Sequence, residues 1–322
     1  MPFETSTRLR TRVLPTLTKP SGGGVTQIDL PQSGYLGWIT LNITGSISGT
    51  LSSPNPLGLA SVVRRVRVIT NTGLDLVNIS GAGYHYLLRD TVFGFYDPVP
   101  QSNARNAVAT GAFNLDMVIP IALNIRDPVG LVLLQNKDFT VTLVVEWEAD
   151  TSVATGATVS ATCVPVVYLF EVPPRPEDRP DISVAHVIYE DSTAIPAAGD
   201  FEYRWQRTNV YLGVYHLLTG TTYSRARLRV QEGIFLEEHT PDTMRQRFAS
   251  LTGRDMNLSG ALTGYSQRIF WDFLGSDGLG VFGSVRDVID GSRLTDLTSV
   301  ITTAGSGTLI TIRRMLVPLL GG

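Results

Sequence analysis

Four histidines, one cysteine and several carboxylate pairs are the side chains of this 322-residue chain whose types are suited to catalysis or metal binding. The histidines are His85, His186, His216 and His239. No two of them have a spacing such as i, i+4 that would place two metal ligands on one helix face. Cys163 is the only cysteine, which excludes an intrachain disulfide and any multi-cysteine metal site. The apolar residues around Cys163 predict that it is a small core residue. From the histidine and cysteine patterns together, we expect no cofactor and no metal.

Two other patterns support chemistry in some proteins. Residues 278–283 match GxGxxG, but a dinucleotide site needs that loop inside a βαβ unit, and the flanking segments are typical of antiparallel strands. Glu146 and Glu148, like Glu237 and Glu238, form carboxylate pairs of the kind that glycosidases use. The first pair, however, falls on the solvent face of a predicted strand. No Gly-x-Ser-x-Gly motif is present, although a triad built from distant residues leaves no local signature. We therefore predict a protein without enzymatic activity.

The amino-acid composition argues against further classes of protein. The chain carries 26 Lys and Arg against 29 Asp and Glu, a net charge of −3 that argues against sequence-specific nucleic-acid binding. Hydrophobic residues make up 43% and charged residues 17%, enough for a core, and the length favours two domains. No apolar run approaches the roughly 18–20 residues of a membrane span, and no signal peptide is recognisable. We expect a protein that is made in the cytosol.

Short segments with strand character, separated by glycine and proline turns, run through the chain. In residues 140–148 apolar and polar side chains alternate, which is typical of a half-buried strand. A proline-rich stretch at 173–182 fits neither a sheet nor a helix and predicts a stiff linker. The same strand pattern resumes from residue 184 onward.

The two halves of the chain resemble each other. Residues 65–68 and 227–230 both alternate arginine with an apolar residue. Each is followed by a glycine turn, a short apolar strand and a helix start, at Ser80 or Thr240. An aromatic-rich strand, a polar or helical connection and a last strand complete each copy. We therefore predict an all-β chain with short helical insertions, folded as two consecutive eight-stranded jelly-roll barrels, a double jelly roll. The predicted parts are an N-terminal arm at 1–24, a first jelly roll at 25–172, the linker at 173–182 and a second jelly roll at 183–322.

Basic side chains supply the candidate contact residues. Within residues 1–24, Pro15 and Pro20 break any helix and residues 21–24 form a flexible glycine-rich joint. This segment is predicted to be either a disordered tail or an arm that reaches a neighbouring subunit or an anionic surface. The arm residues expected to make that contact are Arg8, Arg10, Arg12 and Lys19. The arginines of the repeated strands either contact neighbouring subunits or form an ordinary polar strand face; they are Arg65, Arg67, Arg227 and Arg229.

This layout resembles the double-jelly-roll major capsid proteins of tailless, membrane-containing icosahedral phages. The corticovirus coat protein is the closest in style, and the tectivirus and adenovirus coats are more distant. The resemblance is carried by the strand, turn and capped helix at 61–92, by the second copy at 223–253 and by the closing block at 265–317. It is a likeness of architecture over roughly residues 25–318, without a specific signature motif.

The resemblance implies a structural virion protein, a major capsid subunit that self-assembles as pseudo-hexagonal homotrimers into an icosahedral shell around an internal membrane. The implied partners are neighbouring trimers, minor or penton capsid proteins and the internal lipid membrane, and assembly takes place in the host cytoplasm. An alternative is a two-domain β-sandwich that binds a carbohydrate or a receptor through exposed tryptophans, for which Trp38, Trp205 and Trp271 are available. A jelly-roll enzyme is a third possibility.

Overall fold

Short β-strands joined by tight turns make up most of the computed structural model of this chain. The structure describes residue 3 and residues 6–89, 108–123, 129–136, 138–252, 265–273 and 288–318. The GxGxxG motif at 278–283 lies outside the described residues. The chain forms two compact units, Met1–Tyr189 with Val317–Gly322, and Glu190–Leu316.

The first unit is built from two sheets. In one sheet β11 and β4 lie side by side, β1 and β2 pair with β11, and β7, β8 and β9 follow one another along β4. The other sheet has the order β3-β10-β5-β6. The strands are β1 (Leu9–Val13), β2 (Leu17–Thr18), β3 (Gly24–Asp29), β4 (Tyr35–Ser52), β5 (Val63–Thr70), β6 (Asp75–Ile79), β7 (Gly111–Asn114), β8 (Met117–Pro120), β9 (Val132–Leu133), β10 (Val141–Trp147) and β11 (Thr155–Phe170).

The second unit is built in the same way. One sheet has the order β12-β20-β14, with β17 and β18 beside β14, and the other has the order β13-β19-β15-β16. The strands are β12 (Val184–Ile195), β13 (Gly199–Arg204), β14 (Val210–Thr219), β15 (Tyr223–Gln231), β16 (Ile234–His239), β17 (Arg268–Asp272), β18 (Ile289–Asp290), β19 (Thr298–Thr303) and β20 (Gly307–Pro318).

The strand orders of the two units match position by position. Strands β1, β11, β4 and β7 of the first unit correspond to β12, β20, β14 and β17 of the second. Likewise β3, β10, β5 and β6 correspond to β13, β19, β15 and β16. Each unit is therefore a barrel of two sheets, in each of which four corresponding strands follow the same order. The predicted all-β duplication is confirmed.

The repeated hairpin that suggested the duplication is present in both units. β5 and β6 turn at Gly73 and lead into a helical segment at 81–88, and Ser80 Oγ accepts a hydrogen bond from the Gly83 N–H at 2.9 Å. β15 and β16 turn at Gly233 and lead into the helix Pro241–Thr252. Both turn glycines have positive φ, 85° and 75°, a conformation that strains any residue with a β-carbon.

Strand alternation places the cores. In β4 the alternating side chains of Ile39, Leu41 and Ile43 are fully buried. Cys163 on the neighbouring β11 is also fully buried, and burial raises the pKa of its thiol to about 12. The prediction that Cys163 is a small core residue is confirmed.

Within the predicted arm at 1–24, the structure shows a strand at residues 9–13 and not a disordered tail. Strand β1 pairs antiparallel with β11 over five positions, from Leu9 opposite Phe170 to Val13 opposite Val166. Phe3 packs its ring 5.5 Å from that of Phe170 and is buried. Backbone hydrogen bonds and apolar burial therefore make this segment the first strand of the first barrel, a role that its arginines concealed in the sequence.

The segment that follows is also fixed. Lys19 has a fully buried side chain, and its Nζ lies 2.5 Å from Asp150 Oδ1. The proline-rich stretch contains one turn of 3-10 helix, Pro176–Asp178. The boundary between the units falls inside β12, because Ile188 and Tyr189 pair in parallel with β6 of the first unit.

We predict that Asp150→Asn lowers the free energy of unfolding by about 3 kcal/mol, because it leaves the Lys19 ammonium buried without a counter-charge. Urea unfolding monitored by tryptophan fluorescence measures the change. The matched control is Asp138→Asn, at an exposed carboxylate without an ion pair among the described residues. Equal stability of the two variants would contradict a structural role for the buried pair.

Candidate assembly surface

The interior of the second unit contains a histidine beside a serine. His216 and Ser299 are both fully buried, with His216 Nε2 2.8 Å from Ser299 Oγ. His216 Nδ1 lies 2.9 Å from Thr311 Oγ1. The indole N–H groups of Trp205 and Trp271 also donate to Ser299 Oγ, at 3.0 and 3.1 Å.

These contacts determine where the protons lie. A serine oxygen accepts two hydrogen bonds and donates one, whereas an indole N–H only donates. Because Trp205 and Trp271 occupy both acceptor positions of Ser299, its hydroxyl must donate to His216 Nε2, and Nδ1 must carry the ring proton. Burial lowers the pKa of His216 to about 3, so the ring is neutral. Both residues are sealed from solvent, and we interpret the pair as part of the core and not as a catalytic dyad.

The tryptophans do not form a binding platform. Trp205 and Trp271 are only 4% and 0% exposed. Trp38 is half-buried and stacks on Tyr168, with ring centroids 4.4 Å apart. The carbohydrate- or receptor-binding alternative, which needs exposed aromatic rings, is not favoured.

The remaining candidates for chemistry have structural partners. Glu237 is held by Arg247, whose Nε lies 3.0 Å away, and by His239 at 3.1 Å. His85 and His186 are buried. Among the described residues, no three His, Cys, Asp or Glu side chains come together as metal ligands. Within those same ranges, no helix is long and apolar enough to cross a membrane.

The arginines of β5 lie within their own sheet. Arg67 Nη2 is 3.1 Å from both carboxylate oxygens of Asp75, across the β5–β6 hairpin. Arg65 lies opposite Glu146 in the register of β5 with β10. Both arginines are half-buried.

The arginines of β15 are bound more tightly. Arg227 Nη2 lies 2.6 Å from Asp200 Oδ2, and its guanidinium carbon is 5.1 Å from the centre of the Phe235 ring. These contacts hold the Arg227 side chain between β13 and β16.

Arg229 bridges two carboxylates. Its Nη1 lies 2.8 Å from Glu202 Oε1, and its Nε donates to Asp296. The hydrogen bonds to Glu202 and Asp296 raise the pKa of Arg229. Most of the charge that the sequence offered for subunit contacts on β15 is therefore paired within the chain.

The basic residues near the amino terminus divide into two groups. Arg8, Arg10 and Arg12 are exposed, whereas Lys19 is buried against Asp150. Arg10 forms an ion pair with Glu171, yet its side chain remains 73% exposed. The structure thus brings the three arginines together at the β1 edge and removes Lys19 from any outer surface.

Exposed apolar side chains concentrate on three strands that lie at sheet edges, β1, β3 and β16. Of the large apolar residues described as exposed, only Ile182 lies elsewhere. An edge strand with apolar side chains is a template for another chain. The edge residues are Leu9 (47% exposed), Val13 (65%), Val25 (59%), Ile234 (52%), Phe235 (40%) and Leu236 (54%).

Sequence reasoning missed these edge residues. The available signal was the run of three consecutive apolar residues, 234–236, which breaks the two-residue period that a half-exposed strand requires.

No family model matches the chain, and no curated protein matches it in sequence. Solved structures do match its fold. The major capsid protein of Sulfolobus Turreted Icosahedral Virus is 13% identical, with 97% of each chain covered and a TM-score of 0.68. The capsid of the virus PBCV-1 gives 9% identity, 98% coverage of both chains and a TM-score of 0.63. The major capsid protein P2 from bacteriophage PM2 gives 15% identity, 98% and 100% coverage, and a TM-score of 0.54.

These structures are double jelly-roll proteins, and the likeness extends over nearly the whole of both chains. Together with the matching strand orders of the two units, it shows that this chain has the double jelly-roll fold.

We predict that His216 makes the protein less stable in acid. Unfolded histidine takes up a proton near pH 6.5, whereas the folded site resists protonation down to about 3. The free energy of unfolding therefore decreases as the pH falls below 6.5. His216 accounts for about 3 kcal/mol of that decrease at pH 4. Urea unfolding at pH 7, 5.5 and 4 measures the free energy of unfolding of the wild type and of His216→Gln. The difference between the two proteins should shrink by about 3 kcal/mol between pH 7 and pH 4. A gap that stays constant with pH would contradict the assignment.

Proposed function

We propose that this protein is a major capsid subunit, three copies of which form a pseudo-hexagonal trimer that tiles an icosahedral shell. The observation that carries the proposal is the double jelly-roll fold, which matches a major capsid protein over 97% of both chains. Three chains with two like barrels each supply six similar blocks, and a cyclic arrangement of such blocks has a nearly hexagonal outline.

The exposed apolar edges support this role. Obligate interfaces are more apolar than ordinary protein surface, and an edge strand is stabilised when another strand or chain covers it. Strands β1 and β16 expose apolar side chains in the first and second unit respectively. A chain that remained alone would expose them permanently. The role is structural and without catalysis, its place is the virion, and assembly takes place in the host cytoplasm.

For the exposed arginines we propose contact with neighbouring chains in preference to the membrane. A basic residue near an anionic membrane contributes about 1 kcal/mol, and stable binding takes clusters of about four to eight of them. Arg8, Arg10 and Arg12 are three, and Glu171 partly neutralises one. An internal lipid membrane and minor or penton capsid proteins remain further partners under this proposal.

We predict that the purified chain has a solution mass near 105 kDa (3 × 35.0 kDa), or forms larger particles built from that unit. Light scattering on a sizing column gives the mass, and electron microscopy shows whether the particles are shells. A clean 35 kDa monomer at all micromolar concentrations would overturn the trimer.

We predict that replacing Arg8, Arg10 and Arg12 together with glutamine weakens the trimer while changing binding to anionic phosphatidylglycerol vesicles little. Sedimentation equilibrium and vesicle pelleting measure the two effects. The matched control replaces Arg204 and Arg293, which are also exposed arginines. A variant with an intact trimer but lost vesicle binding would assign the three arginines to the membrane instead.

A further inference from the structure

In the first unit, the edge of strand β6 that does not pair with β5 is covered by another strand. Within that unit, Ile188 and Tyr189 pair in parallel with Val77 and Asn78. Ile188 and Tyr189 belong to the first half of β12, so one side of β6 pairs with β5 and the other with β12.

Strand β16 is the counterpart of β6, because it occupies the same place in the strand order of the second unit. In the described part of the chain, β16 pairs with β15 alone. Its side chains lie open where those of β6 are covered: Val77 and Asn78 are buried, whereas Ile234 and Leu236 are 52% and 54% exposed. The edge of β16 in the second unit is thus exposed and apolar, whereas the equivalent edge of β6 in the first unit is covered.

Strand β1 is the counterpart of β12 by the same correspondence. It pairs with β11 on one side, and among the described strands it has no partner on the other. All five of its residues are exposed, including the apolar Leu9 and Val13. Strand β1 therefore corresponds to the strand that covers β6, and among the described strands no such strand covers β16.

We infer that β1 of one copy adds in parallel to the free edge of β16 of the next copy. The inference rests on the proposed trimer and names the surfaces that form it. It repeats between chains the pairing of β12 with β6, so each copy offers one donor edge and one acceptor edge. An interface between two different surfaces of the same chain is heterologous, and it closes into a ring of three when each copy is rotated by one third of a turn from the last. Adding a strand to an exposed edge is a common mode of recognition.

The charges of the two edges agree with this pairing. Strand β1 carries Arg10 and Arg12, and β16 carries Glu238 near its end, whereas the neighbouring Glu237 is already bound by Arg247 and His239. Glu238 is about half exposed even though Arg225 contacts it at 2.6 Å. Opposite charge favours the pairing of β1 with β16 over that of β1 with a second β1.

Cysteine cross-linking tests the inference on the full chain. The double variant Leu9→Cys/Ile234→Cys places one thiol on each edge, while the native Cys163 is buried and unreactive. The probe is a short bismaleimide, and a denaturing gel separates the products. The matched control is Val25→Cys/Ile234→Cys, because Val25 is an exposed valine on β3, an edge strand outside the inferred interface. We expect about tenfold more covalent dimer and trimer from the first pair, because the paired edges hold the thiols at high local concentration.

A second pair of variants measures the strength of the interface. Leu236→Glu places a charge on the β16 edge and should raise the dissociation constant of the trimer about tenfold or more, whereas Val25→Glu should leave it unchanged. Both residues are exposed, so circular dichroism and thermal melting should show a normal fold.

The outcomes separate this inference from the proposed function. A wild-type trimer with equal cross-linking in both cysteine pairs, or a trimer unaffected by Leu236→Glu, would overturn the β1–β16 interface and leave the capsid proposal standing. A wild-type chain that is monomeric and forms no particles would overturn the proposed function, and the interface with it.

Discussion

Backbone hydrogen bonding at sheet edges is the constraint on which this structure depends. A strand with a partner on only one side exposes unpaired N–H and C=O groups, and these attract other strands unless something covers them. Strands such as β1, β3 and β16 lie at the ends of the strand orders and have this property among the described strands. The corresponding edge of β6 is covered by β12. The edges of β1 and β16 carry exposed apolar side chains instead, which is why we propose them as surfaces that another chain covers.

Two polar groups of the interior, the Ser299 hydroxyl and the Lys19 ammonium, are paired with buried or half-buried partners. Ser299 uses its hydroxyl proton and both lone pairs on three buried partners, which leaves no capacity for chemistry. The buried ammonium of Lys19 has Asp150 as its counter-charge. Such pairs specify one packing arrangement because any alternative would leave a buried polar group unsatisfied. Of the four histidines considered for chemistry, His216 therefore serves to hold the fold together.

Charged side chains on the surface of the β15 sheet are also paired within the chain. The arginines of β15 bind carboxylates of β13 and of the loop before β19, so the outer face of that sheet is largely neutral before any neighbour approaches. Near-neutral blocks can pack at high density with little mutual repulsion, as a net charge of −3 over 322 residues also indicates. Arg8 beside β1 and Arg12 on β1 are exposed, and under the inferred interface they would face the acidic edge of another chain.

The sequence by itself determined the fold class, the duplication and the hairpin–helix element of each copy, because alternation, turn glycines and helix caps act over a few residues. It also identified Cys163 as a core residue. Only the tertiary structure decided that residues 9–13 are a barrel strand, that Lys19 is buried and that His216 meets Ser299 and Thr311. These partners lie roughly 80 to 160 residues away along the chain, and local patterns carry no information about which distant strand comes alongside. Strand order decided those contacts, and it left β1 and β16 each with one partner among the described strands.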